Sequence, residues 1–392
     1  MYLLPKPKTI KEQDGQMLLC HSTHIVMTKE VAETEMHAAK RLQEAIRQET
    51  GLILPFSVGE VREGDLSLGI AKTLPEQTYE ITIDEKGGQI SGGDGAGVLY
   101  GVETFCQIVQ QCGGILPCVQ IQDAPDMPNR GYYFDQTRGR VLKLEELKKI
   151  ADRMCRYKLN QLQLYVEHTY LFRDFSEMWR DQTPLTAEEI LELDSYCRER
   201  HIELVPSLAS FGHLCTLLST KTYGDLCEME DSWKEPFSFW NRMRYHTINV
   251  SDERSLPLIK KMIAEYMQLF SSNKFNICAD ETFCLGKYKS KKLAEERGVH
   301  RLYIDYVKEL AQFLVENGKI PMFWGDIIWN SPELMKELPE SMICLNWGYA
   351  PEQREDETRA IAQTGAVQYL CPGVCGWNPV SYTHLRAHET GR

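Results

Sequence analysis

The sequence predicts an α/β protein whose larger part is a (β/α)8 TIM-type barrel, preceded by a small α/β domain. From residue 130 onward, short apolar runs alternate with stretches of helical spacing. Such alternation over about 250 residues is typical of parallel strands with right-handed crossovers closing into a barrel. Before that point short alternating strands dominate, and the Pro-rich stretch 123–129 separates the two patterns. We therefore assign residues 1–125 to the N-terminal domain and residues 126–380 to the barrel.

Two elements of the N-terminal domain follow from local patterns. Residues 31–50 carry apolar side chains at helical spacing and are followed by Gly51, which predicts a helix ending at that glycine. Residues 79–84 alternate between apolar and polar, reach a turn at 86–88, and continue through 89–92. This pattern predicts a β-hairpin.

A glycine-rich stretch, residues 92–97, follows the hairpin and leads into a helical run at 98–110. A phosphate-binding loop and a tight turn into a packed helix are both compatible with glycines at this place. The order and spacing of these glycines match no phosphate motif, and no Lys-Ser/Thr follows them. The tight turn is the favoured interpretation.

The barrel region contains seven strand candidates. They lie at 130–134, 161–166, 202–208, from 275 onward, 320–324, 342–346 and 366–371. Helices are predicted between them at 142–158, after the capping box that starts at Thr186, at 253–272 and at 289–317. An eighth strand is not found, so we expect the last barrel unit to be missing. Residues 381–392 resemble translated sequencing-adapter read-through, and we expect the native protein to continue beyond residue 380.

Composition and charge limit the classes of function. A net charge of -12 argues against a nucleic-acid groove or an anionic membrane surface as partner. The sequence contains neither the pattern of an export signal nor an apolar stretch of membrane-spanning length. The thirteen cysteines are scattered through apolar patterns, which is typical of reduced, buried thiols in a cytoplasmic protein. No metal-ligand spacing accompanies them, so we expect neither a metal nor a cofactor.

Asp280 and Glu281 form the most informative pair in the chain. They follow directly on the apolar run 275–279, whereas other Asp-Glu pairs, such as Asp252-Glu253, lie at turns or in helical stretches. Placing a charged side chain at the end of a buried strand costs desolvation free energy. Such a residue is therefore expected where solvent, a partner or a ligand contacts the charge. The carboxyl ends of parallel strands are also where active sites lie. The pair is therefore a candidate catalytic site, with a solvated strand end as the alternative.

The residues that follow the other predicted strands should converge on the same pocket. They combine carboxylates, an arginine, histidines and large aromatic rings, which suits a sugar: rings stack on its faces, and charged groups bind its hydroxyls. The set comprises Asp135, Arg138, Glu167, His168, His213, Asp280, Glu281, Trp324, Asp326, Trp347, Tyr349 and Trp377.

Several blocks in this order resemble a known family. The blocks are Arg130-Gly131-Tyr132-Tyr133-Phe134-Asp135 with Arg138, Lys158-Leu159-Asn160, Pro206 with Phe211-Gly212-His213, and Asp280-Glu281. Their order resembles the series of blocks in glycoside hydrolase family 20, the family of β-N-acetylhexosaminidases. The first 125 residues also resemble the small α/β domain that precedes the barrel in that family. The similarity thus covers nearly the whole chain.

The resemblance implies an exo-acting β-N-acetylhexosaminidase that releases terminal β-linked GlcNAc or GalNAc with retention. The substrate's own 2-acetamido group would act as the nucleophile and form an oxazolinium-like intermediate. Glu281 would be the general acid and then the general base, and the Asp280 carboxylate would favour its protonated form near neutral pH. Asp280 would orient the acetamido group and stabilise the intermediate. The expected partner is a small-molecule or oligosaccharide substrate.

The resemblance also implies roles in substrate binding. Arg138 would bind sugar hydroxyls, with a surface ion pair as the alternative. His213 would orient one of the two carboxylates, with a structural histidine that caps the third strand as the alternative. Trp324, Trp347 and Trp377 would form aromatic walls around the sugar, although each could equally be a core residue.

The sequence departs from the family pattern after the second and third strands and before the acid pair. After the second strand, residues 165–169 have the sequence Tyr-Val-Glu-His-Thr. Around the third strand, Ser207 and Ala209 occupy positions where many members have acidic residues. Before the acid pair, Asn276 occupies a position where His is frequent. Two other functions therefore stay open. One is a non-catalytic sugar-binding protein on the same scaffold. The other is a glycosidase with an enzyme nucleophile, which a second carboxylate such as Asp326 would support if it lay about 5 Å from Glu281 across the pocket.

Overall fold

The computed structural model describes residues 1–236, 238–350 and 355–373. Contacts within the chain group it into two compact units. The first contains residues 1–132, 142–162 and 192–204, and the second contains 133–141, 163–191 and the described residues from 205 onward. The predicted domain boundary at residue 125 stays a prediction.

The N-terminal sheet has seven strands, four of which are antiparallel to at least one neighbour. The strands are β1 (Thr9–Leu18), β2 (Ile25–Met27), β3 (Phe56–Val58), β4 (Leu66–Ile70), β5 (Tyr79–Asp84), β6 (Gly87–Gly92) and β7 (Ile115–Asp123). Their order in the sheet is β1-β7-β5-β6-β4-β2-β3. The pairing of Tyr79 with Gly92 and of Asp84 with Gly87 confirms the predicted hairpin.

The predicted helix at 31–50 is divided into two. The structure has α1 (Lys29–Thr34) and α2 (Met36–Thr50), and α2 ends at Gly51 in left-handed conformation, as predicted. Glu35 interrupts the run: its backbone leaves the helical region, and its carboxylate lies 2.8 Å from His201 Nε2. Continuous helical spacing in the sequence could not reveal this interruption, because the partner is distant along the chain.

Helix α3 (Gly95–Cys112) is buried on all sides over residues 96–109, as expected for a helix that is apolar around its circumference. Its N-cap is Asp94, whose Oδ1 accepts the Gly97 N–H at 2.7 Å. A Cβ atom at Gly97 would lie 2.2 Å from the Thr78 carbonyl oxygen, and one at Gly92 would lie 2.2 Å from a backbone nitrogen. The glycines therefore permit close backbone packing, which supports the tight turn.

The second sheet also has seven strands, and they lie side by side in the order of the sequence. The strands are β8 (Gly131–Asp135), β9 (Gln161–Val166), β10 (Glu203–Leu208), β11 (Lys274–Asn276), β12 (Ile320–Trp324), β13 (Ile343–Gly348) and β14 (Val367–Pro372). The pairs from β10 to β14 are parallel, and every residue of β9 is buried, as in a sheet covered on both faces. The predicted barrel-type sheet is confirmed over these strands.

Strand β11 is shorter than the apolar run 275–279 suggested. The regular strand ends at Asn276. The Ile277 N–H still donates to the Met322 carbonyl at 2.9 Å, and the Cys278 carbonyl accepts the Trp324 N–H at 2.9 Å. Left-handed backbone at Cys278 and Ala279 then ends the pairing with β12.

The remaining helices connect and flank these strands. They are α4 (Leu144–Arg156), α5 (Ser176–Trp179), α6 (Ala187–Arg198), α7 (Cys215–Leu218), α8 (Phe239–Arg244), α9 (Ser255–Tyr266), α10 (Lys291–Arg297), α11 (Val299–Glu316) and α12 (Glu355–Gln363). The capping box is present: Thr186 Oγ1 accepts the Glu189 N–H, and the Glu189 side chain accepts the Thr186 N–H. Gly298, with φ of 88°, divides the predicted helix at 289–317.

In the part of the chain that the structure describes, no helix combines the length and apolarity needed to cross a bilayer. The cysteines among these residues are unpaired, and most of them are buried.

The packing around α3 gives a test of the fold. We expect Gly97→Ala to lower the free energy of unfolding by about 2 kcal/mol or more, because the added Cβ overlaps a backbone carbonyl that cannot move freely. Gly114→Ala is the matched control, since the nearest atom to its Cβ lies at 3.6 Å. Urea unfolding of both variants measures the difference, and equal stability would contradict the packing described here.

Candidate active site

The chain after β11 turns sharply through left-handed backbone. Cys278, Ala279 and Glu281 have φ values of 58°, 63° and 49°. This conformation costs non-glycine residues about 1–2 kcal/mol each, so it persists only where the surrounding structure holds it. We call residues 278–281 the acid turn, because it carries both Asp280 and Glu281.

Two side chains from distant parts of the sequence hold the acid turn. The Tyr303 hydroxyl, on α11, donates to the Ala279 carbonyl at 3.0 Å. Asp326, which follows β12, accepts the Glu281 N–H through Oδ2 at 3.0 Å. Both side chains bind the backbone of the acid turn. They therefore fix the direction of the Asp280 and Glu281 side chains and leave the carboxyl oxygens available for other contacts.

Asn276 and Ser207, two positions where the sequence departs from the family pattern, support the start of the turn. Asn276 is buried; its Oδ1 accepts the Cys278 N–H at 2.8 Å, and its Nδ2 donates to Gln163 Oε1 at 3.1 Å. Ser207 Oγ lies 3.3 Å from Cys278 Sγ. Both residues therefore contact Cys278: Asn276 binds its backbone N–H, and Ser207 lies next to its thiol.

Gly212 and His213 pack directly against the acid pair. A Cβ atom at Gly212 would lie 2.6 Å from the Asp280 carbonyl oxygen, so only glycine allows this approach. His213, with φ of 61°, is buried, and its Nε2 lies at ion-pair distance, 3.3 Å, from both Asp280 Oδ2 and Glu281 Oε2. Neither ring nitrogen makes a well-aligned hydrogen bond among the described residues, so the contact with the two carboxylates is electrostatic. Between the two roles considered for His213, this geometry favours orienting the carboxylates.

The charges of this group depend on one another. Burial disfavours the charged form of His213, but the Asp280 carboxylate and the contact with Glu281 raise the pKa of the imidazole to about 10. Burial also acts to raise the pKa of Asp280, yet the charges of His213 and Arg138 outweigh it and hold that pKa below its usual value. At neutral pH, His213 is an imidazolium and Asp280 a carboxylate.

Arg138 is enclosed by acidic and aromatic groups. Its Nε donates to Asp135 Oδ2 at 2.7 Å and lies 3.7 Å from Glu167 Oε1, and its guanidinium stacks 4.6 Å from the centre of the Tyr165 ring. Burial opposes its charge, but Tyr165, Asp135 and Glu167 raise the pKa of the guanidinium further. Arg138 is thus a rigidly held cation in the described site.

Glu167 lies beside Arg138, and His168 lies next to Glu167, with His168 Nδ1 3.9 Å from Glu167 Oε2. Glu167 is 3% exposed; it accepts the Tyr165 hydroxyl at 3.0 Å and Arg242 Nη2 at 3.0 Å. His168 is also buried, and its Nδ1 lies 3.2 Å from the Thr216 hydroxyl. Burial lowers the pKa of His168. The predicted role of His168 in substrate binding stays a prediction.

Asp326 combines burial with two acidic neighbours. Its Oδ1 is buried and has no hydrogen-bond partner among the described residues. Burial, followed by the charges of Asp280 and Glu281, raises the pKa of Asp326 to about 8. At neutral pH the Asp326 carboxyl therefore holds a proton while Asp280 is ionised. Its predicted role in substrate binding stays a prediction, and its observed contact is with the Glu281 backbone.

Two groups of aromatic rings accompany the charged residues. Trp324 is 8% exposed and meets the Tyr133 ring edge to face at 4.9 Å, and Tyr133 in turn lies 6.0 Å from Tyr165. This group is continuous with Arg138 through Tyr165.

The second aromatic group contains Trp347 and Tyr349. Their ring centres are 5.1 Å apart, and Trp329 lies 6.1 Å from Trp347. Tyr349 is 43% exposed, and the Trp347 indole N–H is buried without a hydrogen-bond partner among the described residues. Trp377 lies outside the described residues.

Three residues of the site were not predicted from sequence. Tyr303 lies in the middle of a helix, where its position resembles that of any core residue. Arg242 lies in α8, which follows no strand directly, and Tyr133 lies inside a strand rather than at its end. The only available signal was that Tyr133 belongs to the block 130–135.

Among the described residues, one group has the geometry to hold a metal ion. It consists of His213, Asp280 and Glu281, whose ligand atoms all lie within 4.8 Å of one another. The His213 imidazolium already supplies positive charge between the carboxylates. The expectation of no metal stays a prediction.

The arrangement has clear chemical capacity. Asp280 is an ionised carboxylate next to an imidazolium, and the neighbouring Glu281 side chain is 26% exposed. A partly exposed carboxyl group can give a proton to a bound group and take one back. A largely enclosed carboxylate beside it, such as that of Asp280 with 18% of its side chain exposed, can stabilise positive charge that develops during a reaction.

Asp326 gives a prediction about pH. Because its pKa in the folded protein lies above that of a free carboxyl, folding takes up a proton, and the resulting stability is present at low pH and lost as pH rises through about 8. Asp326→Asn keeps an oxygen acceptor for the Glu281 N–H and does not titrate. We expect the wild-type free energy of unfolding to fall by roughly 2 kcal/mol relative to this variant between pH 6 and pH 9. Urea unfolding at both pH values measures this change, and parallel pH dependences would contradict a protonated Asp326.

Comparison with known proteins matches this chain to one family. Residues 1–124 match "Glycosyl hydrolase family 20, domain 2", and residues 128–375 match "Glycosyl hydrolase family 20, catalytic domain". A beta-hexosaminidase of Porphyromonas gingivalis is 24% identical over 363 residues, covering 83% of this chain and 45% of that protein. The chain thus spans about half the length of the curated relatives it matches.

Solved structures agree on the fold. The chitobiase of Flavobacterium johnsoniae has a TM-score of 0.79 at 19% identity, covering 95% of this chain and 59% of that one. An exo β-N-acetylglucosaminidase from Vibrio harveyi, solved in complex with N-acetylglucosamine, has a TM-score of 0.76 at 19% identity, covering 95% and 60%. With the family match over most of its length, the chain belongs to glycoside hydrolase family 20.

Proposed function

We propose that the protein is an exo-β-N-acetylhexosaminidase that hydrolyses terminal β-linked GlcNAc or GalNAc with retention, using the substrate's 2-acetamido group as nucleophile. One observation carries the proposal: the acid turn lets Asp280 and Glu281, adjacent in sequence, both contact His213 at 3.3 Å. Membership of family 20 and the GlcNAc bound by the Vibrio harveyi neighbour support the choice of sugar.

Glu281 acts first as general acid. In the first step, the acetamido carbonyl oxygen forms a bond to the anomeric carbon while the bond to the leaving oxygen breaks, and the Glu281 proton passes to that oxygen. In the second step, Glu281 takes a proton from water, which attacks the anomeric carbon and opens the oxazolinium-like ring. The partial exposure of the Glu281 side chain, 26%, gives the leaving group and water access to it.

Asp280 supports the internal nucleophile. Its carboxylate accepts the acetamido N–H, which orients the carbonyl oxygen for attack and stabilises the positive charge of the ring that forms. The low pKa of Asp280, held down by His213 and Arg138 against the effect of burial, keeps it ionised for this task. His213 holds the two carboxyl groups in register, and Arg138 binds sugar hydroxyls.

An enzyme nucleophile is less well supported. Asp326 Oδ2 already accepts the Glu281 N–H, and Oδ1 is buried. Burial and the neighbouring acids raise the pKa of Asp326 to about 8, and a protonated carboxyl group is a poor nucleophile. The geometry around Asp326 therefore favours the acetamido group. The cytoplasmic location and the absence of nucleic-acid and membrane partners stay predictions.

The proposal predicts a strong effect of Glu281→Gln. We expect kcat/KM on an N-acetyl-β-glucosaminide to fall by about 10²–10⁴-fold, because proton transfer to the leaving oxygen is lost. The loss should be larger for an alkyl glycoside than for an aryl glycoside, since an alkoxide needs the proton more. Glu253→Gln, in the Asp252-Glu253 pair outside the site, is the matched control and should retain activity within about twofold.

Two further measurements separate the competing functions. A thiazoline analogue of the bicyclic intermediate should inhibit strongly, and an aryl β-glucoside without the acetamido group should react at least about 100-fold more slowly. Equal rates on the two glycosides would favour an enzyme nucleophile. Binding of N-acetylglucosamine without any turnover would overturn the proposal in favour of a sugar-binding protein.

A further inference from the structure

Helix α11 carries two buried tyrosines that bind backbone next to the candidate active site. Tyr303 and Tyr306 are three residues apart, so they lie on the same face of the helix. The Tyr303 hydroxyl donates to the Ala279 carbonyl at 3.0 Å, and the Tyr306 hydroxyl donates to the Ser210 carbonyl at 3.0 Å. One helix face therefore binds two chain segments that follow different strands.

The Phe211 ring packs against both tyrosine rings. Its centre lies 5.6 Å from that of Tyr303, with the two ring planes 13° apart, and 4.3 Å from that of Tyr306. All three side chains are buried, and ring pairs of this kind stabilise a structure beyond the area that they bury. We call Tyr303, Phe211 and Tyr306 the tyrosine clamp, because the phenylalanine packs against both tyrosines.

The two segments that the tyrosine clamp holds carry charged groups of the site. Ala279 directly precedes Asp280 in the acid turn, and Ser210 lies three residues before His213. The segments also contact each other, since Ser210 Oγ donates to the Ile277 carbonyl at 2.5 Å. The clamp is thus a common support for the acid turn and for the segment that carries His213.

The contact of His213 with the acid pair needs such a support. His213 Nε2 lies 3.3 Å from Asp280 Oδ2 and from Glu281 Oε2, yet neither ring nitrogen makes a well-aligned hydrogen bond among the described residues. Attraction between charges depends on their distance and does not fix a direction, whereas a hydrogen bond weakens steeply when it is misaligned. The position of the imidazole must therefore be set by the backbone of the two segments and by the groups that hold that backbone.

The hydroxyls of the tyrosine clamp are permanent donors. Burial raises the pKa of Tyr303 and of Tyr306, so both hydroxyls keep their protons. A buried hydroxyl without a partner costs free energy, so these two bonds matter for where the carbonyls lie. Tyr266, the last residue of α9, shows the other case: it is fully buried, but its hydroxyl has no hydrogen-bond partner among the described residues.

We propose that the tyrosine clamp positions His213 against the acid pair, so that Tyr303 and Tyr306 are positioning residues of the hydrolysis and act through the two backbone carbonyls. The inference rests on the proposed function, because it assigns the clamp to the steps in which Asp280 orients the acetamido group and Glu281 transfers a proton. Loss of either hydroxyl lets the two segments shift relative to each other, and the groups that meet in the transition state then lose their alignment.

Removal of single hydroxyl groups tests the clamp. In Tyr303→Phe and Tyr306→Phe, we expect kcat on an aryl N-acetyl-β-glucosaminide to fall about three- to tenfold while KM stays within about twofold, because a small misplacement affects the transition state more than ground-state binding. The inhibition constant of the thiazoline analogue should rise by about the same factor, since the analogue resembles the intermediate. Tyr266→Phe is the matched control and should change each quantity by less than about twofold, because its hydroxyl has no partner among the described residues.

The inhibition constant separates positioning from a purely structural role. A variant that only loses folded protein has a lower apparent kcat, but its folded molecules bind the thiazoline as before. An unchanged inhibition constant in both clamp variants, or an equal rise in Tyr266→Phe, would overturn the clamp. If Tyr306→Phe does not fold, Phe211→Leu takes its place, because it keeps both hydroxyls and removes the ring between them, and the same rise is expected.

The variant that lacks both hydroxyls tests whether the two tyrosines act together. If one clamp holds both segments, the loss of kcat in the double variant should differ from the product of the two single losses. A loss equal to that product would show two independent supports and would contradict a joint clamp.

A failure of the proposed function has a different signature. If the wild-type protein neither hydrolyses the glycoside nor binds the thiazoline, the proposed function fails, and the nitrogen NMR signals of the His213 ring then test the clamp alone. These signals should move in Tyr303→Phe and Tyr306→Phe and stay in place in Tyr266→Phe, because the first two hydroxyls hold the segments around the imidazole. Signals that are unchanged in all three variants would overturn the clamp.

Discussion

The left-handed backbone of the acid turn is the constraint on which the candidate site depends. Adjacent residues of an extended strand point to opposite faces, so a regular continuation of β11 would separate Asp280 from Glu281. The turn at residues 278–281 instead lets both carboxyl groups reach His213. The cost of this conformation, about 1–2 kcal/mol for each left-handed residue, is offset by bonds to its backbone, among them those from Tyr303 and Asp326.

Burial makes the charges of the site interdependent. Three carboxyl groups and two cations lie close together, and they cannot all titrate as they would in water. His213 becomes cationic because of the acids beside it, Asp280 stays ionised because of His213 and Arg138, and Asp326 keeps its proton because it is buried and, in addition, lies near that ionised neighbour. As a result, Asp280 stays ionised, while the Glu281 side chain is partly exposed to solvent.

Sequence patterns predicted the parts of this structure that depend on local order. The apolar runs and helical spacings gave all seven described strands of the barrel sheet, and the strand ends gave Arg138 and His213 as well as the acid pair. The division of the helix at 31–50 escaped prediction, because Glu35 meets a histidine far along the chain. Tyr303 escaped for the same reason: its hydroxyl bond to the acid turn depends on how α11 packs, which helical periodicity does not encode.

Gly212 offers the most direct test of the account, because its missing side chain admits the Asp280 carbonyl oxygen, 2.6 Å from where a Cβ would stand. Gly212→Ala should displace the acid turn, and a misplacement of about 1 Å is enough to reduce catalysis about 100-fold. The decisive measurement is kcat/KM on an aryl N-acetyl-β-glucosaminide for the variant, alongside its urea unfolding curve. A cooperatively folded variant with activity reduced by about that factor is the expected result. A folded variant with the wild-type rate would contradict the claim that backbone geometry at the acid turn controls the chemistry.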